Sequence, residues 1–230
     1  MFKKNKLHNK IISVLKDRFS NWEEKSFYIT SLIEKEEFGE EVFLQIIETY
    51  HESKIRKNAA SVVGYTKLTH FVPRLIDRIL VDNDWTVRFA LSRSSAKLVG
   101  EKAIEFLMEK YNIHLQSITH PQAIYNLKKA FCESLGSMGL DEAIPILLSM
   151  LEHELRNNQS YTNELLVQIV YSLGEIGNED VLEELKRYKI GNIIRTKNLL
   201  NSTDHALEKI AKKLGYSSFK KYQEDRIKTK

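Results

Sequence analysis

The stretch Leu135–Leu151, LGSMGLDEAIPILLSML, sets two glycines three residues apart, with a proline soon after, inside an apolar run that otherwise reads as helix. Glycine opposes a helix interior through its backbone freedom, and proline through its missing N–H. Together they mark the joint between two short helices. Gly136 falls near the end of the first helix, where it can relieve close packing or cap the helix, and Gly139 lets the chain turn. The second helix starts near Asp141, an acid suited to its positive end, and takes Pro145 in its first turn. On this reading the breakers separate helices and lie inside none of them.

The same joint recurs. Counted from Leu127, apolar or small residues fall at offsets zero, four, five and eight, glycines at nine and twelve, and a proline at eighteen. From Ile55 the frame gives Ala59, Ala60, Val63 and Gly64, then Pro73 and Leu75. From Val87 it gives Leu91, Ser95 and Ala96, then Ala103, Ile104 and Leu107. From Leu165 it gives Ile169, Val170, Leu173, Gly174 and Gly177, then Val181, Leu182 and Leu185, and a partial copy starts at Ala206. The starts 55, 87, 127, 165 and 206 are 32, 40, 38 and 41 residues apart, the range of helical-repeat arrays. The offsets trace one face of a helix, so each unit predicts a helical pair whose apolar stripes meet its neighbours.

The segments SKIRKNAASVVGYTKLTHFVPRLI, DWTVRFALSRSSAKLVGEKAIEFL, LKKAFCESLGSMGLDEAIPILLSML and LLVQIVYSLGEIGNEDVLEEL resemble HEAT repeats of the short bacterial kind found in phycobilin lyase subunits. The resemblance covers about residues 40–215; the second segment departs from it, with Ala96 in place of the glycine and no proline. It implies an all-α superhelix, a HEAT-like solenoid of about five to six helical pairs, forming one domain over 1–230. Residues 1–50 would be an N-terminal cap and degenerate repeat, 51–190 the regular repeats, and 191–230 a partial repeat with a basic cap. It also implies that Arg56 and Arg88 pair with loop acids between units, and that the second helices line a concave face.

Composition agrees with an all-α chain. Of 230 residues 42% are hydrophobic and 29% charged, with only three prolines and nine glycines. The lone Cys132 excludes an internal disulfide framework and a Cys-rich zinc module, and at offset five it reads as a buried thiol. The basic start has no long apolar segment and no small-residue cleavage site, and no run approaches a membrane span, so a cytoplasmic protein that does not enter a membrane is expected. Charge is uneven: residues 1–18 carry +5 and residues 186–230 carry +9, which leaves 4 − 5 − 9 = −10 for residues 19–185. A uniform nucleic-acid binder would not be patterned so.

No catalytic constellation emerges. The seven histidines show no close helical pairing of the zinc kind, and LGSMG and LGEIG do not follow strands as phosphate loops do. No cofactor, metal or catalytic residue is expected. The expected function is a non-enzymatic scaffold or adaptor for a protein partner, with His70, Arg74, Asp77, Arg78, Lys102, Glu105 and Glu109 as candidate contacts on the second helices. The longer periods place extra residues in NIHLQSITHPQA, EHELRNNQSYTNE and KIGNIIRTKNLLNST, which add Arg156 and Tyr161 as candidates on an inter-repeat edge; lengthened helices are the other reading. A nucleic-acid-binding reading, related to HEAT-like DNA glycosylases, would use Trp85 and Arg88 in DNDWTVRFA and Lys212, Lys213, Lys220 and Lys221 in the basic tail. An accessory subunit of a lyase-like enzyme is a third reading. Structurally, Asp84 suits a helix N-cap with Trp85 covering the helix start, and Tyr216, Phe219 and Tyr222 suit docking of a last helix on the final repeat.

Overall fold

The apolar stripes do form helices. A computed structural model of the chain describes residues 2–17, 21–157, 162–191 and 196–228, which hold thirteen α-helices, two 3₁₀ turns and no strand. The protein is all-α, built of stacked helical pairs. It divides into two compact units, Met1–Ser117 and Ile118–Lys230.

The N-terminal unit contains α1 (Phe2–Lys16), α2 (Trp22–Glu34), α3 (Gly39–Thr49), α4 (Ser53–Val63), α5 (Val72–Val81), α6 (Trp85–Val99) and α7 (Lys102–Ser117). Helix α1 buries Leu7, Ile11, Ile12 and Leu15 and packs on α2, α3 and α4, so it caps the first pairs. Helix α2 fits the repeat poorly in sequence yet starts firmly. The Asn21 side chain accepts from the Glu24 N–H at 2.9 Å, while the Glu24 carboxylate accepts from the Asn21 N–H at 3.1 Å. The first helices α2, α4 and α6 pack one on the next, and α3 and α5 pack on the first helix that follows each.

The C-terminal unit contains α8 (Pro121–Met138), α9 (Ile144–Asn157), α10 (Thr162–Ile176), α11 (Glu179–Ile190), α12 (Lys197–Lys213) and α13 (Phe219–Lys228). Its first helices α8, α10 and α12 again pack in succession, with α9 on α10, α11 on α12, and α13 on α12. The stripe residues Leu127, Phe131, Cys132 and Leu135 of α8, and Leu165, Ile169, Val170 and Leu173 of α10, are all buried.

The two glycines at the end of α8 do different jobs. Gly139 ends α8 with a left-handed φ of 71°, as a cap does. Gly136 and Gly174 instead lie inside α8 and α10, contrary to the expectation that no breaker falls within a helix. They are there because neighbouring first helices touch. A Cβ on Gly136 would meet the Ser172 Cα at 2.8 Å, one on Gly64 the Ser94 Cα at 3.0 Å, and one on Gly174 the Ala206 Cα at 3.0 Å.

That contact also corrects the register of the last repeat. Ser94 and Ser172 both stand at offset seven from their starts at 87 and 165. Ala206 occupies the same place, so the last unit starts at 206 − 7 = 199, the buried Leu199, and not at Ala206. The apolar residues of α12 recur on one face throughout, and periodicity alone cannot say which turn is the first.

Among the described residues, the extra residues of the long connections lengthen helices. Helix α7 runs for 16 residues where α5 runs for 10, and Arg156 sits on the last turn of α9. Tyr161 lies outside the described residues.

Candidate functional site

Four of the second-helix candidates are already engaged. In the N-terminal unit Arg74 on α5 forks onto α3: Nε donates to Glu48 Oε1 at 2.8 Å and Nη2 to Glu48 Oε2 at 2.7 Å, with Nη1 reaching Glu41 at 3.1 Å. His70 Nε2 lies 2.9 Å from Glu40. Asp77 pairs onward to α7, with Lys110 at 2.9 Å and His114 at 3.9 Å. Arg78 turns to Asp82 at 2.7 Å. These charges therefore tie α3, α5 and α7 together. Lys102, Glu105 and Glu109 differ: they are exposed on α7, and between them the same helix exposes Met108, with Ile113 a turn further on.

Beneath this face lies a buried charge node. Arg56 is the cation at offset one of its repeat, and its Nε and Nη2 donate to the two oxygens of Asp82, each at 2.9 Å. Its Nη1 donates to the Tyr50 carbonyl at 2.7 Å. Asp82 also accepts from Arg78 Nε at 2.8 Å and from the Asp84 N–H at 2.9 Å. Burial by itself would raise the Asp82 pKa; the hydrogen bonds from Arg56, Asp84 and Arg78 outweigh it and hold the carboxyl below its ordinary value. Arg88 donates to the Asp82 carbonyl at 2.8 Å, so both arginines bind the same inter-helix loop. The rung recurs in the C-terminal unit, where Lys128 donates to the buried Glu154 at 2.7 Å; 154 − 128 and 82 − 56 are both 26.

The opposite face of the N-terminal unit has another chemistry. Trp85, Phe89, Arg93 and Lys97 recur every fourth residue, so they form one row along α6, and all four are exposed. Beside them α4 exposes Lys54 and Lys57, and Tyr65 follows its end. Lys97 Nζ lies over the Tyr65 ring, and the Arg93 guanidinium lies 5.5 Å from the Phe89 centroid. Neither α4 nor α6 contains an acid. Trp85 does not cover the helix start, being 59% exposed, although Asp84 does cap it by accepting from the Thr86 N–H at 2.8 Å. Sequence reasoning singled out Trp85 and missed the row. The signal was its four-residue spacing in a helix without acids.

A cleft of about 340 Å³ lies between α1 and α3, lined by Lys4, His8, Gln45, Thr49, Tyr50 and His51. Among the described residues no three His, Cys, Asp or Glu side chains gather as metal ligands would. Among the described residues no helix is long and apolar enough to cross a membrane. Cys132 is fully buried with its Sγ 3.7 Å from Met150 Sδ, and burial pushes its pKa well up.

The basic tail docks. Tyr222 of α13 is buried, and its hydroxyl donates toward Glu183 at 2.7 Å and lies 3.1 Å from Glu179, both on α11. Tyr216 packs edge-on and Phe219 stacks against the Tyr222 ring. The tail lysines stay at the surface beside local acids: Lys212 near Glu208 at 3.7 Å, Lys220 and Lys221 near Glu224 at 3.9 and 2.7 Å. Lys213 donates to the Glu175 carbonyl. Arg156 pairs with Glu152 on its own helix at 3.3 Å.

No protein-family model and no curated protein matches the chain. Among solved structures, an engineered protein from the Northeast Structural Genomics Consortium aligns with 89% of this chain and 96% of its own at 16% identity. Its TM-score of 0.36 is too low to carry an argument about fold or function.

Proposed function

We propose that the chain is a HEAT-like, non-enzymatic scaffold or adaptor of the cytoplasm that binds a protein partner through the second-helix face of its N-terminal unit. The observation that carries this reading is the exposed stripe of α7. There Met108 and Ile113, 39% and 52% exposed, lie towards the two sides of an exposed face whose middle carries Glu105, Glu109 and Lys102. Exposed apolar side chains next to charges of both signs on one helix face offer a protein partner apolar contact and charge pairing together. The adjoining ion pairs from Arg74 and Asp77 hold α3, α5 and α7 in place, which lowers the ordering cost of binding. His70, Arg74, Asp77 and Arg78 act here as supports more than as contacts.

The test is affinity capture with the full chain from a nuclease-treated lysate, comparing wild type with a Met108→Asp, Ile113→Asp variant. A discrete protein retained at high salt by wild type and lost by the variant is the expected result. Equal capture by both, or none by either, refutes the reading.

A further inference from the structure

We infer that the outer face of α4 and α6 binds single-stranded nucleic acid, on a surface separate from the one proposed for a protein partner.

Three observations converge on that ligand. The first is charge without counter-charge. Among the described residues Lys54, Lys57, Arg93 and Lys97 enter no ion pair, whereas Arg56, Arg74, Arg78 and Lys110 of the same unit all do. The flanking Glu52 is taken up by Lys16 at 3.7 Å. A surface with four uncompensated cations and no acid on either helix favours an anion.

The second is the rings. Trp85, Phe89 and Tyr65 are exposed beside these cations, at a cost in hydration that a bound π-face would recover. Arg93 lies over Phe89 and Lys97 over Tyr65, so each cation is held at a ring and not left to wander. Aromatic rings interleaved with cations meet both parts of a nucleotide, the base by stacking and the phosphate by charge.

The third is shape. The row from Trp85 to Lys97 spans twelve residues of one helix, about 18 Å at the α-helical rise, which suits a few successive nucleotides. A duplex keeps its bases stacked on each other and would leave Trp85 and Phe89 unmet. An acidic peptide would use the cations and ignore the rings. A single strand uses both.

The experiment is fluorescence anisotropy of labelled oligo-dT and oligo-U of about 16 nucleotides, the upper site size of a small binding domain, titrated with the full chain. Binding should weaken with salt at a log–log slope of about −3, from about 0.7 per cation for Lys54, Lys57, Arg93 and Lys97. Arg93→Glu with Lys97→Glu should lower affinity at least tenfold and flatten that slope. Trp85→Ala should lower affinity about tenfold through lost stacking and leave the slope unchanged. Lys212→Glu with Lys213→Glu, in the other unit, should change neither. These side chains are exposed, and unchanged far-UV circular dichroism checks that the variants fold. Failure of both oligonucleotides to bind at low salt overturns the inference. So does binding that survives the Arg93, Lys97 reversal. Binding of a poly-glutamate peptide that resists Trp85→Ala and displaces the oligonucleotide would assign the surface to an acidic protein segment instead.

Discussion

Replacing Asp82 by alanine should unfold the N-terminal unit more readily than removing either of its arginine partners. The Asp82 side chain has no solvent exposure, and the Arg56 side chain is 11% exposed. Asp82 accepts two hydrogen bonds from Arg56 and others from Arg78 and the Asp84 N–H. Asp82→Ala therefore strands a buried guanidinium with only the Tyr50 and His51 carbonyls, and frees the loop that starts α6. Removing one partner of a buried pair costs about 3–5 kcal/mol. Arg56→Ala should cost less, about 2 kcal/mol, because Arg78 and the Asp84 N–H still serve the carboxylate. Arg78→Ala should cost about 1 kcal/mol, since that pair is partly solvated. The assay is urea unfolding followed by tryptophan fluorescence. Both tryptophans, Trp22 and Trp85, lie in the N-terminal unit, so the signal reports on that unit alone. With a slope of about 2 kcal/mol per molar urea, Asp82→Ala should lower the midpoint by about 2 M. An Asp82→Ala midpoint no lower than that of Arg78→Ala would refute the node.

Other consequences follow from the same geometry. Gly136→Ala should destabilise the C-terminal unit by about 2 kcal/mol: overpacking against the Ser172 backbone outweighs the roughly 1 kcal/mol of helix propensity that alanine adds. Circular dichroism should show that loss with the tryptophan transition unmoved, and a variant as stable as wild type would remove the close contact from the account. Asp84 is held down to about 2 from 3.8, first by its bond with Ser53 and then by Thr86. A depressed carboxyl stabilises the fold above its unfolded pKa, and that contribution is lost as pH falls from about 4 to about 2. Acid unfolding of the N-terminal unit should therefore steepen in that window, and less so in Asp84→Asn. Cys132, buried and shifted away from thiolate, should resist a disulfide reagent at mildly alkaline pH in the native protein and react at once in denaturant. Rapid labelling of the folded chain would contradict its burial.

What the sequence alone determined was the repeating helical pair. Apolar offsets zero, four, five and eight name the buried side of α4, α8 and α10 without any knowledge of neighbours, because a helix has only one face to hide. Pro73 and Pro145 open second helices for the same local reason, and the aromatic spacing of the tail predicts the docking of Tyr222. The polar side was not legible. Arg74 and Arg93 look alike in sequence, yet Arg74 forks onto Glu48 and Arg93 enters no ion pair among the described residues. Periodicity says that both point away from the core; only the placement of the next helix decides whether an acid stands there to meet them. The same limit left Gly136 between capping and close packing, a choice that depends on Ser172 lying thirty-six residues away, and misplaced the last repeat by seven residues, since the stripe of α12 continues past the point where Ala206 touches Gly174. Burial is a property of one helix's own pattern, whereas ion pairing and close approach are properties of two helices at once, and these the tertiary structure decided.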